Sequence, residues 1–144
     1  MAKEKQKYED IKLNIRTKLI GLWTVLMLLY IYCDIHTLFK PGQINAMING
    51  FMGPFPINQI SLLVTGVSLT IPALMIIANL FIKMVAIKWI NIIVGIVYIF
   101  VDIGNMTGEI WAYNIFYGII ELAITLSIII ISIKWPKKNL INIK

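Results

Sequence analysis

Four long apolar segments dominate the pattern of hydrophobic and polar positions along the chain, with short polar or glycine- and proline-containing stretches between them. The segments run approximately over residues 19–38, 59–82, 89–103 and 110–133. A helix that crosses a bilayer needs roughly 20 predominantly apolar residues, and a helix satisfies its backbone hydrogen bonds within the segment itself. The pattern therefore predicts an all-α protein built as a membrane-embedded four-helix bundle.

The connection between the first two segments is the only long one and covers residues 39–58. It contains three prolines and three glycines, which interrupt any continuous helix. Between them, Ile44, Met47, Ile48 and Phe51 recur at helical spacing. This spacing favours a short interfacial helix that lies on the membrane surface or caps the bundle, and an ordered loop with interfacial side chains is the alternative.

Polar and small residues recur every three or four positions inside each apolar segment, which places them on one face of each helix. They are Trp23, Met27, Tyr30 and Asp34 in the first segment; Ser61, Thr65, Ser68, Pro72 and Asn79 in the second; Asn91, Gly95, Tyr98, Asp102 and Asn105 in the third; and Asn114, Gly118, Glu121 and Thr125 in the fourth. The opposite faces carry Ile, Leu, Val and Phe, as contact with lipid requires. Such stripes predict a left-handed bundle with a polar, small-residue interior.

The composition agrees with a membrane protein and leaves little room for a soluble catalytic domain. Hydrophobic residues make up 59% of the 144 residues and charged residues 14%, with a mean hydropathy of +0.83. Globular domains are usually about 45–50% apolar and about 25% charged. No repeat, linker or second domain interrupts the pattern, so residues 1–144 are predicted to form a single membrane domain.

The net charge of +6 is distributed very unevenly along the chain. Twelve of the 13 lysines and arginines precede the first segment, separate the second from the third, or follow the fourth, and only Lys40 lies on the other side. Because positive residues concentrate in cytoplasmic loops, this asymmetry predicts a multi-pass protein of the cell membrane with both termini in the cytoplasm. The implied partner is the lipid bilayer, whose anionic headgroups attract basic tails. Without a soluble nucleic-acid-binding module, we expect no binding to nucleic acid.

Three carboxylic acids, Asp34, Asp102 and Glu121, lie inside the apolar segments, and no lysine or arginine lies there to pair with them. An ionisable group in hydrocarbon is costly and usually faces a bundle interior. A helical rise of about 1.5 Å per residue places the two aspartates in the outer half of the membrane and Glu121 near its midplane. The sequence thus predicts a cleft that opens outward with Glu121 at its floor. The residues expected at its mouth are His36, Asn105, Glu109, Tyr113, Asn114 and Tyr117.

The sequence supports two interpretations of the role of these acids. In the first, each acid is protonated or hydrogen-bonded to polar neighbours and fixes the helix register, with each bond worth about 0.6 kcal/mol. In the second, Glu121 exchanges a proton or a cation, and this exchange drives binding or transport. The candidate site residues for a proton, a cation or a small apolar ligand are Glu121, Asp34, Asp102, Tyr30, Tyr98, Asn91, Asn114 and Tyr117.

Metal and covalent chemistry find little support in the sequence. A single cysteine, Cys33, and a single histidine, His36, fall short of the several donors that a metal site needs. No nucleophile–base pair is recognisable, so we expect no catalytic residues and no metal ligands, and the sequence names no cofactor. An acid pair acting on a lipid or a quinone within the membrane is the enzymatic alternative.

Several short motifs, spread over nearly the whole chain, form a recognisable set. They are Leu22-Trp23, Tyr30–Ile35, Pro41-Gly42, Ile71–Met75, Lys88–Ile93, Tyr113–Phe116 and Ile120–Leu122. The set resembles a family of small bacterial four-helix membrane proteins of unknown function and, more loosely, the architecture of DoxX-type membrane proteins. The resemblance implies the fold and a membrane location, emphasises Asp34, Asn91 and Glu121, and implies no activity. Members often carry a glutamate just before the Ile-Pro pair, where this chain has Thr70.

Two functional hypotheses follow from the sequence. The first is a binding or transport protein with an outward-facing site for a small ligand, a proton or a cation, centred on Glu121. The second is a non-transporting accessory or interaction subunit of a membrane complex, which the short loops and a sealed interior would suit. Oligomerisation is compatible with either hypothesis.

Overall fold

The computed structural model describes residues 12–108 and 110–136. Its elements are, in chain order, α1 (Ile15–Leu38), α2 (Gln43–Ile48), β1 (Phe51–Met52), β2 (Phe55–Pro56), α3 (Gln59–Phe81), α4 (Met84–Gly108) and α5 (Ala112–Ile133). The helices α1, α3, α4 and α5 are each long and apolar enough to cross a membrane. The described part of the chain is thus a four-helix bundle with one very small hairpin, which confirms the predicted fold class.

The helix α1 packs against α3 on one side and against α5 on the other, and α5 in turn packs against α4. The closing contact between α3 and α4 is slight. The core is formed by large buried side chains of all four long helices, which include Leu19, Trp23, Met75, Ile87 and Ile128. Because few residues of α3 and α4 contact each other, the hydrogen bonds that link these two helices become important for closing the bundle.

The helix α4 is longer than the predicted third segment, residues 89–103, at both ends. It begins at Met84 and ends at Gly108, so two residues separate it from α3. A lysine lowers the local hydropathy at the start of α4, but no glycine or proline breaks the backbone there, and a lysine side chain can reach the interface from inside a helix. The helix therefore continues where the hydropathy pattern ends.

The connection between α1 and α3 contains the short helix expected there, α2, and also a hairpin that the sequence does not predict. In the hairpin, Phe51 pairs with Pro56 and Met52 pairs with Phe55. Gly53 occupies the turn with a φ of 57°, a left-handed conformation that glycine adopts without steric cost. Strands of two residues are too short to produce an alternating pattern, so hydropathy could not reveal them.

The C-terminal end of α3 is capped by a side chain of α1. Arg16 Nη1 donates to the carbonyl oxygens of Asn79 at 3.1 Å and Leu80 at 3.3 Å. Arg16 Nη2 donates to the carbonyl oxygen of Ile82 at 2.9 Å. The last carbonyls of a helix lack partners within the helix and carry partial negative charge. The guanidinium therefore satisfies this helix end and ties α1 to α3.

A proline inside α3 creates a second need for an external donor. Pro72 is buried and has no N–H, so the carbonyl of Ser68, four residues earlier, has no helical donor. The Tyr98 hydroxyl of α4 donates to this Ser68 carbonyl oxygen. An unsatisfied backbone group in hydrocarbon is costly. This bond therefore links α4 to α3 at the point where the α3 backbone lacks its own donor.

Candidate functional site

A cavity of about 200 Å³ lies at the end of the bundle where α1 and α4 end and α5 begins. Its wall is formed by Tyr30, Cys33, Asp34, Thr37, Leu69, Asn105, Asn114, Gly118 and Glu121. Four of the predicted site residues, Glu121, Asp34, Tyr30 and Asn114, are in this wall. The structure thus brings together half of the predicted set.

Glu121 is the deeply buried acid of the cavity wall. Its side chain is 2% exposed, and its Oε1 atom is buried without a hydrogen-bond partner among the described residues. A buried polar atom left unsatisfied costs roughly 1–3 kcal/mol. Such an atom in a cavity wall is what a binding group requires, because a ligand or a proton can supply the missing partner.

Two glycines allow α5 to approach α4 closely. Gly118 lies one turn before Glu121, and a Cβ atom at this position would collide with the Met106 side chain. A Cβ atom at Gly95 would lie 2.7 Å from Ile129 Cγ1, which is closer than real Cβ atoms approach. Small residues permit such backbone approach between membrane helices. The depth of Glu121 between the helices therefore depends on these glycines.

Asp34 lies at the open end of the same cavity. Its side chain is exposed, whereas Cys33 and Thr37 beside it are half-buried. The hydroxyls of Thr37 and Tyr113 are 3.0 Å apart and hydrogen-bonded, which holds the end of α1 against the start of α5. The cavity therefore has a carboxyl at its surface, Asp34, and another in its interior, Glu121.

Asn114 joins three helices at the cavity wall. Its Nδ2 donates to the carbonyl oxygen of Asn105, near the end of α4, at 2.9 Å. Its Oδ1 accepts from Cys33 Sγ of α1 at 3.4 Å. Because Asn114 lies in the first turn of α5, its amide holds the ends of α1, α4 and α5 together around the cavity.

Asp102 does not line the cavity. It is 0% exposed and accepts hydrogen bonds from the Tyr30 hydroxyl at 2.5 Å and from Thr125 Oγ1 at 3.0 Å. Thr125 lies one turn beyond Glu121 along α5, so Asp102 lies deeper than Glu121. Its two hydroxyl donors hold Asp102 in the interior of the bundle, away from the cavity wall.

Tyr30 stands between the two buried acids. It lines the cavity, and its hydroxyl donates to Asp102. Its ring centroid is 6.0 Å from that of Tyr98, which in turn makes an edge contact with Trp23 at 5.9 Å. The three rings form a continuous run of contacts from the cavity wall at Tyr30 to Trp23, which is hydrogen-bonded to Asn91.

Asn91 lies toward the end of the bundle opposite the cavity, in a fully buried amide cluster. Trp23 Nε1 donates to Asn91 Oδ1 at 2.7 Å. Asn91 and Asn79 exchange two amide hydrogen bonds, of 3.0 and 3.2 Å. Each amide also donates to the carbonyl one turn earlier in its own helix, at Met75 and Ile87. Asn91 therefore connects α1, α3 and α4 and is not part of the cavity.

Tyr117 lies beside His36 rather than in the cavity wall. The Tyr117 hydroxyl is 3.4 Å from His36 Nδ1, and the two ring centroids are 5.6 Å apart. His36 Nδ1 is also 2.8 Å from the Tyr32 carbonyl oxygen. These rings belong to an aromatic cluster at the Asp34 end of the bundle. Glu109, which is also predicted at the mouth, lies outside the described residues.

The described wall of the cavity contains no lysine or arginine. Lys40 instead lies over the Trp111 ring, 5.6 Å from its centroid. Within residues 12–108 and 110–136, no three His, Cys, Asp or Glu side chains come together as a metal site would require. The wall thus offers two carboxyls together with amide and hydroxyl groups, which suits a ligand that donates hydrogen bonds or carries positive charge.

Five wall residues are absent from the eight candidate site residues: Cys33, Thr37, Leu69, Asn105 and Gly118. The sequence predicts Asn105 at the mouth of the cleft and Gly118 on the inner face of its helix. Thr37 follows Asp34 by three positions, so helical spacing could have identified it. The polar contact of Cys33 involves Asn114, 81 positions away, which no local pattern reveals. Leu69 has no signal in the sequence that distinguishes it from its apolar neighbours.

Four membrane-length helices around a polar interior define this chain as a multi-pass integral membrane protein. The sequence model of the family of unknown function DUF6326 matches residues 7–142, and the chain belongs to this family. No curated protein and no solved structure matched the chain. Membership confirms the resemblance to a family of unknown function, while the looser DoxX-like architecture stays a prediction.

Proposed function

We propose that this protein binds a proton or a small cationic ligand at Glu121, with Asp34 at the mouth of the site. The observation that carries the proposal is the Glu121 Oε1 atom, which is buried in the cavity wall and has no hydrogen-bond partner among the described residues. Removing an ionised acid from water without a partner costs free energy, and a bound proton or cation offsets that cost.

The surrounding residues support different roles for the two cavity acids. Asp34 is exposed and attracts positive charge to the mouth, whereas Glu121 is buried and holds it. The nearby Tyr30 hydroxyl does not compete for Glu121, because it donates to Asp102. Asn114 holds the helix ends around the cavity through its bonds to α1 and α4.

Binding is favoured over transport because the other end of the bundle is tightly closed. Trp23, Asn79 and Asn91 are fully buried there and pair with one another. A transported ion would have to break these bonds, which are costly to lose in hydrocarbon. If the basic chain ends lie in the cytoplasm, as the charge asymmetry predicts, the cavity opens to the outside.

Infrared difference spectroscopy of the full chain in lipid vesicles tests the proposal. Spectra recorded between acid and alkaline pH should contain a carboxyl C=O band that is lost in the Glu121→Gln variant, because this substitution removes the titrating group. Asp102→Asn is the matched control, since Asp102 is buried but lies outside the cavity. The Glu121 band should persist in this control. A wild-type spectrum identical to that of Glu121→Gln would refute the site.

A further inference from the structure

A second and more apolar cavity, of about 430 Å³, adjoins the first. We call the first the acidic chamber and the second the apolar chamber. The two share the wall residues Asp34, Thr37, Leu69 and Asn105. Because these residues border both spaces, the chambers lie side by side and meet at Asp34, the exposed carboxyl.

The apolar chamber is roofed by the connection between α1 and α3. Met47 of α2 and Met52 of β1 lie over it, and Val101 of α4 and Leu38 of α1 form part of its sides. Gln43, at the start of α2, also lines the chamber and is only 8% exposed, so this connection is packed onto the bundle. Methionine side chains adapt readily to different apolar shapes.

The two chambers together present one charged end and one apolar end. The acidic chamber has two carboxyls and no described cation, so it favours a group that carries positive charge and donates several hydrogen bonds. The apolar chamber has room for a hydrocarbon chain along Leu38, Met47, Met52, Leu69 and Val101. The Thr65 and Ser68 hydroxyls in its wall donate to carbonyls of their own helix. Sites for small molecules commonly enclose about 300–1,000 Å³, a size that the acidic chamber alone does not reach.

We propose that the ligand is an amphipathic primary amine, with its ammonium group at Glu121 and Asp34 and its hydrocarbon chain in the apolar chamber. This inference rests on the proposed cation site and adds the chemical class of the ligand. The ammonium group has three donors, which suits the unpartnered Glu121 oxygen and the neighbouring carboxyl. The chain gains affinity by leaving water for the methionine-roofed space.

The experiment uses the purified full chain in mild detergent and four probes of related shape: methylammonium, n-hexylammonium, 1-hexanol and hexanoate. Binding is measured by isothermal titration calorimetry. Hexylammonium should bind at least about tenfold more tightly than methylammonium, because each buried methylene adds severalfold to affinity. Hexanol and hexanoate should bind at least about tenfold more weakly than hexylammonium, because the first lacks charge and the second repels the two acids.

Two variants separate the chambers. Glu121→Gln should abolish binding of both ammonium probes. Val101→Phe, which fills the apolar chamber, should weaken hexylammonium about tenfold and leave methylammonium unchanged. Val97→Phe makes the same substitution on an exposed position of α4 outside either chamber and should change neither. If Val101→Phe does not fold, Met52→Phe tests the same chamber from β1.

The possible outcomes distinguish the two proposals. Glu121-dependent binding of both ammonium probes with equal affinity would overturn the amphipathic ligand and keep the cation site. Equal binding of hexanol or hexanoate would overturn the requirement for an amine. Binding of neither ammonium probe, or binding unaffected by Glu121→Gln, would overturn the cation site and the inference with it.

Discussion

Asp102 and Glu121 are both buried acids on packed helices, but their hydrogen-bond partners differ. Asp102 receives two hydroxyl donors, from Tyr30 and Thr125. Glu121 Oε1 receives none from the described residues. Because a buried acid with its donors in place is already stabilised, only Glu121 is left able to gain energy from a ligand. At the residue scale, hydrogen-bond donors rather than depth distinguish the two buried acids.

The hydrogen bond from the Tyr98 hydroxyl to the Ser68 carbonyl leads to a prediction about the free energy of unfolding. Tyr98→Phe should lower the free energy of unfolding by about 1 kcal/mol, because it leaves the Ser68 carbonyl without a donor. In a Pro72→Ala background the same change should cost much less, because an alanine at this position would supply the missing helical N–H. The measurement is a double-mutant cycle from unfolding in mixed detergent micelles.

Tyr32→Phe is the control for this cycle, because Tyr32 is exposed. It should leave the free energy of unfolding unchanged in both backgrounds. An equal cost of Tyr98→Phe with and without Pro72 would show that the contribution of the hydroxyl does not depend on the helical donor that Pro72 removes.

Helical spacing alone could place single residues on the correct face but could not assign their partners. It put Tyr30, Glu121 and Asp102 on the inner face, and all three are buried. It could not separate the acids, because the donors of Asp102 lie 72 and 23 positions away in sequence. Partner assignment depends on the mutual rotation and height of the helices, which a single chain pattern does not contain.

At the scale of elements, the junction between α1 and α3 depends on Arg16. Arg16→Gln should lower the free energy of unfolding by about 1–2 kcal/mol, because three carbonyls at the end of α3 lose a charged donor. Arg16→Lys should show an intermediate loss, since a lysine is a point charge without the planar fork. Unfolding in mixed micelles measures both.

Lys18→Gln is the matched control, because Lys18 is exposed and its loss removes the same net charge. It should change the free energy of unfolding by no more than about 0.5 kcal/mol. If the two glutamine variants were equally destabilised, the effect would belong to overall charge and not to the capping of α3.

The elements themselves were predictable to different degrees. The four long helices and α2 follow from apolar length and helical spacing, which are local properties. The hairpin at Phe51–Met52 could not be predicted, because its strands are two residues long. The role of Arg16 was also hidden, because a positive charge near a membrane segment has the same pattern whether it contacts lipid or a helix end.

For the whole molecule, the single cysteine provides a test of which side the cavity opens to. Cys33 lines the cavity and is half-buried. In intact cells, a membrane-impermeant cationic methanethiosulfonate should modify Cys33 from outside, because the predicted topology exposes this end of the bundle. Mass spectrometry of the purified chain measures the modified fraction.

Lys134→Cys in a Cys33→Ala background is the control, since Lys134 is exposed at the opposite end of the bundle. This variant should react only after the cells are permeabilised. The reverse pattern, with Lys134→Cys modified in intact cells and Cys33 protected, would place the chain ends outside and turn the cavity toward the cytoplasm.

The closed cluster of Trp23, Asn79 and Asn91 has a thermodynamic consequence for the proposed site. A site that is reached from one compartment alone comes to equilibrium with that compartment. Its occupancy does not depend on the ligand concentration on the other side of the membrane. An ion gradient across the membrane then performs no work on it, and occupancy reports only the local chemical potential of the ligand. Such a site suits a protein that senses its ligand in one compartment rather than a pump.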